Sequence, residues 1–383
     1  MVARRTALIV VTSMIFSLGL VMIFNTTSAE ILDLDLDRSH HLAIVRQLVY
    51  AALGAFLAVL VGRVGVRRFI RYSPFVLFIL TFFLALCFVP GIGKVVNGSR
   101  RWIMLGGVSF QPSEFVKFVI PAYFIYRIRQ QETFSVVQLF RALGFIAVPM
   151  ALILFEPNNG TVGVILVTLV ALCFLAEIPL KYWAVPLCVI LLVGSVVAWQ
   201  LPYVRGRLQV YLNPELDVRG RGHQPLQAKI AAGSGMFLGK GPGNSLQKLS
   251  YLPEAQNDYI AAIYAEEFGF VGISTLILLY LVIIYLGFSE AYHAVNREEA
   301  LMAASAMFLI GFQAFMNLGV VSGLLPSTGL NLPFFSQGGT SLIANIMGLA
   351  LMVNVKTGER DEKTCGDQCR GVRGAPISRP GAC

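Results

Sequence analysis

Three clusters of polar side chains interrupt an otherwise apolar chain, and their residue types suit ionic and acid–base chemistry. In Gln111-Pro112-Ser113-Glu114-Phe115-Val116-Lys117, the proline suits the first turn of a helix, and i, i+3 spacing puts Glu114 and Lys117 on one face. Charges this far into an apolar segment are costly unless they pair or face a polar cavity. The pair therefore reads as cavity-lining, with a purely structural ion pair as the plainer alternative. In Asn97-Gly98-Ser99-Arg100-Arg101-Trp102, two adjacent guanidinium groups can grip phosphate oxygens while the Trp anchors at a membrane interface. Ordinary interfacial anchoring accounts for the same residues. The third cluster runs from Lys248 through Pro253-Glu254-Ala255 to Asp258, where a basic stretch enters an apolar helix, and continues to Glu266-Glu267. A carboxylate at such a boundary is partly desolvated and so a better general base. A helix-start residue favoured by the macrodipole is the equal alternative for Asp258.

Two other stretches imitate sites. Gly235-Met236-Phe237-Leu238-Gly239-Lys240-Gly241 resembles a phosphate-binding loop, but its spacing is one short and no Ser or Thr follows the Lys. Asp33-Leu34-Asp35-Leu36-Asp37 would align three carboxylates for a metal only as an extended segment, and flanked by Arg38, His40 and His41 it reads as a solvated linker. The cysteines Cys87, Cys173 and Cys188 lie in apolar runs, and Cys365, Cys369 and Cys383 in a polar tail, so neither a disulfide framework nor a zinc site is indicated.

The elements that must position these clusters follow from composition. Of 383 residues, 56% are hydrophobic and only 13% charged, and the mean hydropathy is +0.71. Such a chain lacks the polar residues to cover a water-soluble core, which excludes a soluble enzyme, a disordered protein and a secreted disulfide scaffold. The expected fold is all-α, a polytopic membrane protein with ten transmembrane helices near 7–24, 43–62, 74–90, 111–126, 142–156, 161–176, 182–200, 260–287, 300–319 and 340–355. Turn chemistry at Glu156-Pro157-Asn158-Asn159-Gly160 separates the fifth span from the sixth. The first run exceeds a signal-peptide core, so an uncleaved span is expected.

Loop charge sets the direction. With the N-terminus inside, Arg4, Arg5, Arg63, Arg67, Arg68, Arg71, Arg127, Arg129, Arg141, Lys181 and Arg297 are cytoplasmic, whereas the short outer loops hold Arg38, Arg46, Lys94, Arg100 and Arg101. This is the positive-inside pattern, and it puts both termini in the cytoplasm. A long extracytoplasmic loop at 201–259, between spans seven and eight, carries Arg205, Arg207, Arg219, Arg221, Lys229, Lys240 and Lys248 against Glu215, Asp217, Glu254 and Asp258. A basic outer loop suits an anionic substrate or lipid head group, and a solvated loop explains it equally. Residues 1–355 read as one membrane domain and 356–383 as a cytoplasmic tail too poor in apolar residues to order itself.

At these same clusters the chain resembles the SEDS family, the FtsW and RodA proteins of bacterial division and elongation. The resemblance covers about 7–355 and rests on Asn97 to Trp102, Gln111 to Glu114 with Lys117, Glu156-Pro157, Gln247-Lys248-Leu249, Leu252 to Ala255, Asp258 and Glu266 to Gly269. It continues through Gly323-Leu324-Leu325-Pro326, Leu332-Pro333-Phe334 and Ser336-Gln337-Gly338-Gly339-Thr340-Ser341. Pro-Glu-Ala before the Asp leans to the FtsW division branch, and Ser327-Thr328-Gly329 leans away from it. Two departures stand out: Asn158 where the family usually has Asp after Glu-Pro, and Gln337 where Tyr is common.

The resemblance implies a ten-span peptidoglycan glycosyltransferase that polymerises lipid II, an undecaprenyl-pyrophosphate disaccharide peptide, on the outer face with a class B penicillin-binding transpeptidase. Membrane lipid is the surrounding partner and no nucleic acid is expected. Asp258 then occupies the essential carboxylate position. Turning an α-linked pyrophosphate into a β-1,4 glycan inverts the anomeric carbon, which a single base can serve. On this reading Asp258 is that base. Arg100, Arg101 and Lys248 offset the leaving charge, and Trp102, Gln111, Glu114, Lys117, Glu254 and Ser336 bind or line the substrate site. No cofactor is required, and room is left for a divalent cation, Mg or Mn. The competing readings are a flippase for the same lipid, disfavoured because the inner span ends carry only topogenic arginines, and a non-catalytic scaffold for the transpeptidase.

Overall fold

The computed structural model describes residues 2–34, 41–96, 99–105, 108–129, 136–200, 202–212, 222–248 and 256–357. Every expected apolar segment is a helix, since backbone polar groups in hydrocarbon must pair within the segment. In chain order these are α1 (Val2–Leu34), α2 (Leu42–Val64), α3 (Val66–Leu86), α4 (Pro112–Arg129), α5 (Val136–Phe155), α6 (Asn159–Leu175), α7 (Leu180–Gln200), α10 (Ile260–Tyr292), α11 (Arg297–Val321) and α12 (Gly339–Val353). Five of them, α1, α2, α3, α10 and α11, are long and apolar enough to cross a membrane on length and composition alone. Two helices occupy the stretch expected as one long loop, α8 (Pro202–Leu212) and α9 (His223–Ser234). Between α3 and α4 the chain adds a three-stranded antiparallel sheet, β1 (Gly93–Val96), β2 (Ser99–Leu105) and β3 (Val108–Phe110), in the order β1-β2-β3. Reading 93–110 for its charges alone overlooked two hairpin signals, Asn97-Gly98 and Gly106-Gly107.

The helices differ in how deeply they sit in the bundle. The apolar window of α2 is 17% buried and that of α11 is 72% buried, so α2 faces outward and α11 is central. Helix α4 is buried along nearly its whole length, with Glu114 and Lys117 among the buried residues. It fails as a span by hydropathy alone because its charges meet protein partners rather than lipid. Helix α3 starts earlier than expected, at Val66, because its first turns carry arginines that a hydropathy reading assigns to a loop.

One end of the bundle gathers the N-terminus, the α2–α3 junction and the residues after α12. Here Arg4 and Arg5 lie 3.5 and 3.2 Å from the buried Glu290 carboxylate. Arg5 also donates to the Val355 carbonyl and to Thr357 Oγ1. Arg67 pairs with buried Glu299 at 3.2 Å, and Glu299 Oε2 accepts the Lys356 amide at 2.7 Å. These arginines are therefore not merely topogenic. They tie the first helix and the residues after the last to α10 and α11, which corrects the sequence-based view of this end.

At the opposite end α10 breaks. Gly269 has φ 65° and ψ −160°, a conformation open to glycine and strained for other residues. The amides freed by the break, Phe270 N and Val271 N, donate to the carbonyls of Met236 and Phe237, at 2.9 and 3.2 Å. In return Lys240 N and Gly241 N donate to the carbonyls of Glu266 and Glu267, each at 3.0 Å. The glycine-rich 235–241 stretch that imitates a phosphate loop is thus a backbone splice. A Cβ on Gly239 would overlap the Glu267 carbonyl, and one on Gly269 would overlap the Gly239 nitrogen.

Candidate active site

At this same end the start of α4, the start of α6, strand β2, helix α8, the start of α10 and the segment 327–341 surround a polar cavity of about 650 Å³. Of the residues singled out from the sequence, Arg101, Trp102, Gln111, Glu114 and Asp258 line it. The geometry of each follows from its element. Asp258 stands two residues before α10, half-buried, beside buried Tyr259. Asn317 Nδ2, projecting from α11, donates to the Asp258 carbonyl and to the Leu330 carbonyl, both at 2.8 Å, which pins the Asp258 backbone to the 327–331 segment. A Cβ placed on Gly329 would lie 3.8 Å from Asp258 Oδ2, so that segment runs directly against the carboxylate. Burial pushes the Tyr259 phenol above its ordinary range, with Asp258 adding to the effect and the Arg207 charge opposing it.

Glu114 and Lys117 form the expected i, i+3 pair, with Nζ to Oε2 2.7 Å. Only Glu114 reaches the cavity. Lys117 lies behind it, 2% exposed, and donates to Gln313 Oε1 at 2.7 Å. From there side-chain amides carry the connection onward: Gln313 Nε2 donates to the Asn331 carbonyl at 2.8 Å, and Asn331 Nδ2 to the Gln337 carbonyl at 2.9 Å. Gln337 N then donates to the Gln256 carbonyl at 3.0 Å, two residues before Asp258. The buried ion pair is thus wired to the backbone that carries the carboxylate.

The arginines of β2 diverge because side chains alternate along a strand. Arg101, on the same face as buried Ile103, donates through Nε and Nη2 to the carbonyls of Glu156 and Pro157 at 2.8 and 2.6 Å. It thereby holds the turn that delivers Asn158. Arg100 is exposed and donates to the Phe88 carbonyl. Asn158 is buried at the cavity wall, its Oδ1 accepting from Thr161 Oγ1 at 2.9 Å.

Other expected residues lie elsewhere. Lys248 is buried among Glu267 Oε1 (3.0 Å), Asn25 Oδ1 (2.7 Å) and the Gly243 carbonyl (2.6 Å), and it does not line the cavity. Ser336 Oγ accepts the Leu332 amide at 2.9 Å as part of the turn below the cavity. Glu254 lies outside the described residues, as do Asp35 and Asp37; Asp33 belongs to α1. Among the described residues no group of three or more His, Cys, Asp or Glu gathers as metal ligands.

Sequence reasoning passed over Arg207, Gln224 and Asn331 as cavity residues, and treated Gln337 only as a departure. Arg207 was one of several basic residues in a long loop, and nothing in its local spacing marked it. Gln337 Oε1 and Ser341 Oγ are buried and make no hydrogen bond among the described residues, although both residues line the cavity. Buried polar atoms are ordinarily paired, so these fit a site that keeps partners for a polar ligand.

A helical bundle with charges on its central helices, apolar faces outside and a polar cavity at one end is a multi-pass membrane protein. The chain belongs to the FtsW/RodA/SpoVE family, whose model, described as a cell cycle protein, matches residues 5–361. It is 37% identical over 318 residues to the probable peptidoglycan glycosyltransferase FtsW of Legionella pneumophila, covering 82% of this chain and 81% of that protein. It is 35% identical over 353 residues to stage V sporulation protein E of Bacillus subtilis, covering 91% of this chain and 95% of that one. A chain from a solved peptidoglycan synthase complex that coordinates polymerization and crosslinking superposes with a TM-score of 0.74 at 26% identity, covering 91% of this chain and 96% of that chain. The SEDS resemblance, with its lean to FtsW, holds.

Proposed function

We propose that this chain is a peptidoglycan glycosyltransferase of cell-wall synthesis, that it polymerises lipid II on the outer face of the cytoplasmic membrane, and that Asp258 is its general base. The observation that carries the reading is the polar cavity, where a half-buried carboxylate meets unpartnered hydrogen-bonding groups at one end of the bundle. An inverting transfer needs a base at the acceptor hydroxyl and charge stabilisation at the leaving pyrophosphate. Asp258 takes the proton of the acceptor sugar's 4-hydroxyl as its oxygen bonds the donor's anomeric carbon. The bond from that carbon to phosphate breaks, and the electron pair leaves with undecaprenyl pyrophosphate. Glu114 borders the same space, and its pairing with Lys117 keeps a second carboxylate at the wall without a bare charge. The unsatisfied Gln337 Oε1 and Ser341 Oγ suit sugar hydroxyls or amides. Both termini lie in the cytoplasm, and a class B penicillin-binding transpeptidase works alongside, in keeping with the synthase complex in which the structural relative was solved.

The buried pairing at the other end bears on the flippase alternative. Arg4 and Arg5 with Glu290, and Arg67 with Glu299, close the bundle there with ion pairs. The test is reconstitution of the full chain with its transpeptidase in liposomes carrying labelled lipid II. Wild type is expected to yield glycan ladders and Asp258→Ala none. Wild type without glycan defeats the glycosyltransferase reading, normal polymerisation by the variant defeats the base, and translocation without polymer supports the flippase.

A further inference from the structure

We propose that the turn Met236-Phe237-Leu238 is a membrane anchor, inserted among the acyl chains of the bilayer leaflet at the cavity end of the bundle. The turn lies in the long stretch that the sequence offered to water or to an anionic ligand. Its side chains are arranged the other way round. The polar ones face inward: Lys240 Nζ and Ser245 Oγ donate to the buried Glu266 carboxylate, each at 2.5 Å, and Ser234 Oγ donates to it at 3.2 Å. The apolar ones face outward, with Met236, Phe237 and Leu238 83%, 64% and 75% exposed. A solvated loop presents polar groups to water. A segment that buries them and holds out three large apolar side chains is built for an apolar surrounding.

Two observations identify that surrounding as lipid. The first is continuity. The Phe237 ring stacks on Phe270, with centroids 5.9 Å and planes 22° apart, and Phe270, Val271, Leu278, Leu281 and Tyr285 carry the same exposed apolar surface along α10. The second is depth. At the far end of α10 the buried Glu290 carboxylate, paired with half-buried Arg4 and Arg5, marks one polar boundary. From there back to Phe270 the helix rises about 30 Å, the thickness of a bilayer's hydrocarbon core. The Phe237–Phe270 stack therefore stands where hydrocarbon ends on the cavity side, the level at which surface-bound segments insert their apolar side chains. The backbone suits that level too. The carbonyls of Met236 and Phe237 accept the Phe270 and Val271 amides, and Gly239 N donates to the Gly235 carbonyl, which lowers the cost of leaving water. One segment thus has two faces: ion pairs hold it to α10 from within, and lipid holds it from without. On the orientation proposed above, the leaflet is the outer one.

The test uses the full-length chain with its own cysteines replaced by Ser, reconstituted alone in vesicles of phosphatidylcholine and phosphatidylglycerol. A spin label is attached at Met236→Cys and, separately, at Leu238→Cys. Leu281→Cys, on the exposed face of α10, is the lipid reference, and Asn244→Cys, an exposed polar position of the same segment, is the aqueous one. Phe237 stays intact to keep the stack, and melting temperatures equal to the parent's show that each variant is folded. The two positions are read independently, so either one decides. Label collisions with molecular oxygen and with a water-soluble nickel chelate are measured by power saturation. Both labels are expected to meet oxygen as Leu281→Cys does, and to meet the chelate at least about tenfold less than Asn244→Cys does, because a polar chelate stays out of hydrocarbon. Chelate collisions equal to those at Asn244→Cys overturn the anchor and leave a solvated loop. Exclusion of both reagents also overturns it, since the turn is then covered by a second copy of this chain. Adding the transpeptidase is expected to leave the oxygen collisions unchanged; their loss assigns the patch to that partner instead of lipid.

Discussion

Asp258 and the pair Glu266-Glu267 are acids within nine positions of one another at the same end of α10, and their surroundings differ completely. Glu266 is 0% exposed and accepts from Lys240 Nζ and Ser245 Oγ, each at 2.5 Å. Glu267 is 1% exposed and accepts from Lys248 Nζ and from Asn25 Nδ2 at 3.0 and 2.6 Å. Both accept from the chain segment that splices into the α10 break, Glu267 also from Asn25 of α1, so their charges are spent on holding 235–248 and the end of α1 in place. Asp258 instead has its backbone pinned by Asn317 while its side chain borders an open polar cavity. The difference teaches that acidity near a membrane boundary does not by itself mark chemistry. A carboxylate buried among donors of its own fold is architecture, and one at the wall of a polar cavity can meet a substrate.

The comparison can be broken at either side. The largest effect is expected from Asp258→Asn, which should reduce polymerisation by about 10²–10⁴-fold, the range for loss of a general base, with the melting temperature of the purified protein unchanged. A variant that keeps its activity, or loses it by unfolding, would collapse the distinction. Glu267→Gln should do the opposite. It leaves Lys248 buried without its counter-charge, at a cost of about 3–5 kcal/mol, read as a lowered melting temperature, with the surviving folded fraction still active. Gly269→Ala sharpens the architectural half, because its Cβ meets the Gly239 backbone. A cost of about 1–3 kcal/mol is expected, with faster hydrogen exchange at the amides of Phe270 and Val271. The smallest effect is expected from Asp33, Asp35 and Asp37 changed together to Asn, which should leave polymerisation within about twofold, since the sequence reads this run as a linker and substitutions away from a site cost little. Abolished activity there would revive a metal role for the first loop.

Much of this was legible in residue types and spacing. Pro112 at a helix start and Glu114 with Lys117 one turn apart gave the buried pair, and the turn at Glu156-Pro157 gave the break between α5 and α6. Both are local rules, which a sequence states directly. What escaped was long-range. Lys248 was taken for a substrate cation because a basic residue in an outer stretch looks available, yet its partners Asn25 and Glu267 are 223 and 19 positions away. Arg207 was passed over because nothing nearby in sequence shows that α8 lies against Ser327, 120 positions on. The arginines at the other end looked merely topogenic because Glu290 and Glu299, their partners, stand far along the chain.

The sequence alone determined that this is a helical membrane protein, which way its charge is biased, and which acids and bases are rare enough in apolar surroundings to matter. Those conclusions need only composition, hydropathy and local periodicity, because burial in hydrocarbon penalises polar groups residue by residue. The tertiary structure alone decided which of those charges meet. Pairing depends on where helices separated by hundreds of residues pack together, and it turns Lys248 into a strut, Arg101 into a brace for the Glu156-Pro157 turn, and Arg207 and Asp258 into neighbours on one cavity wall.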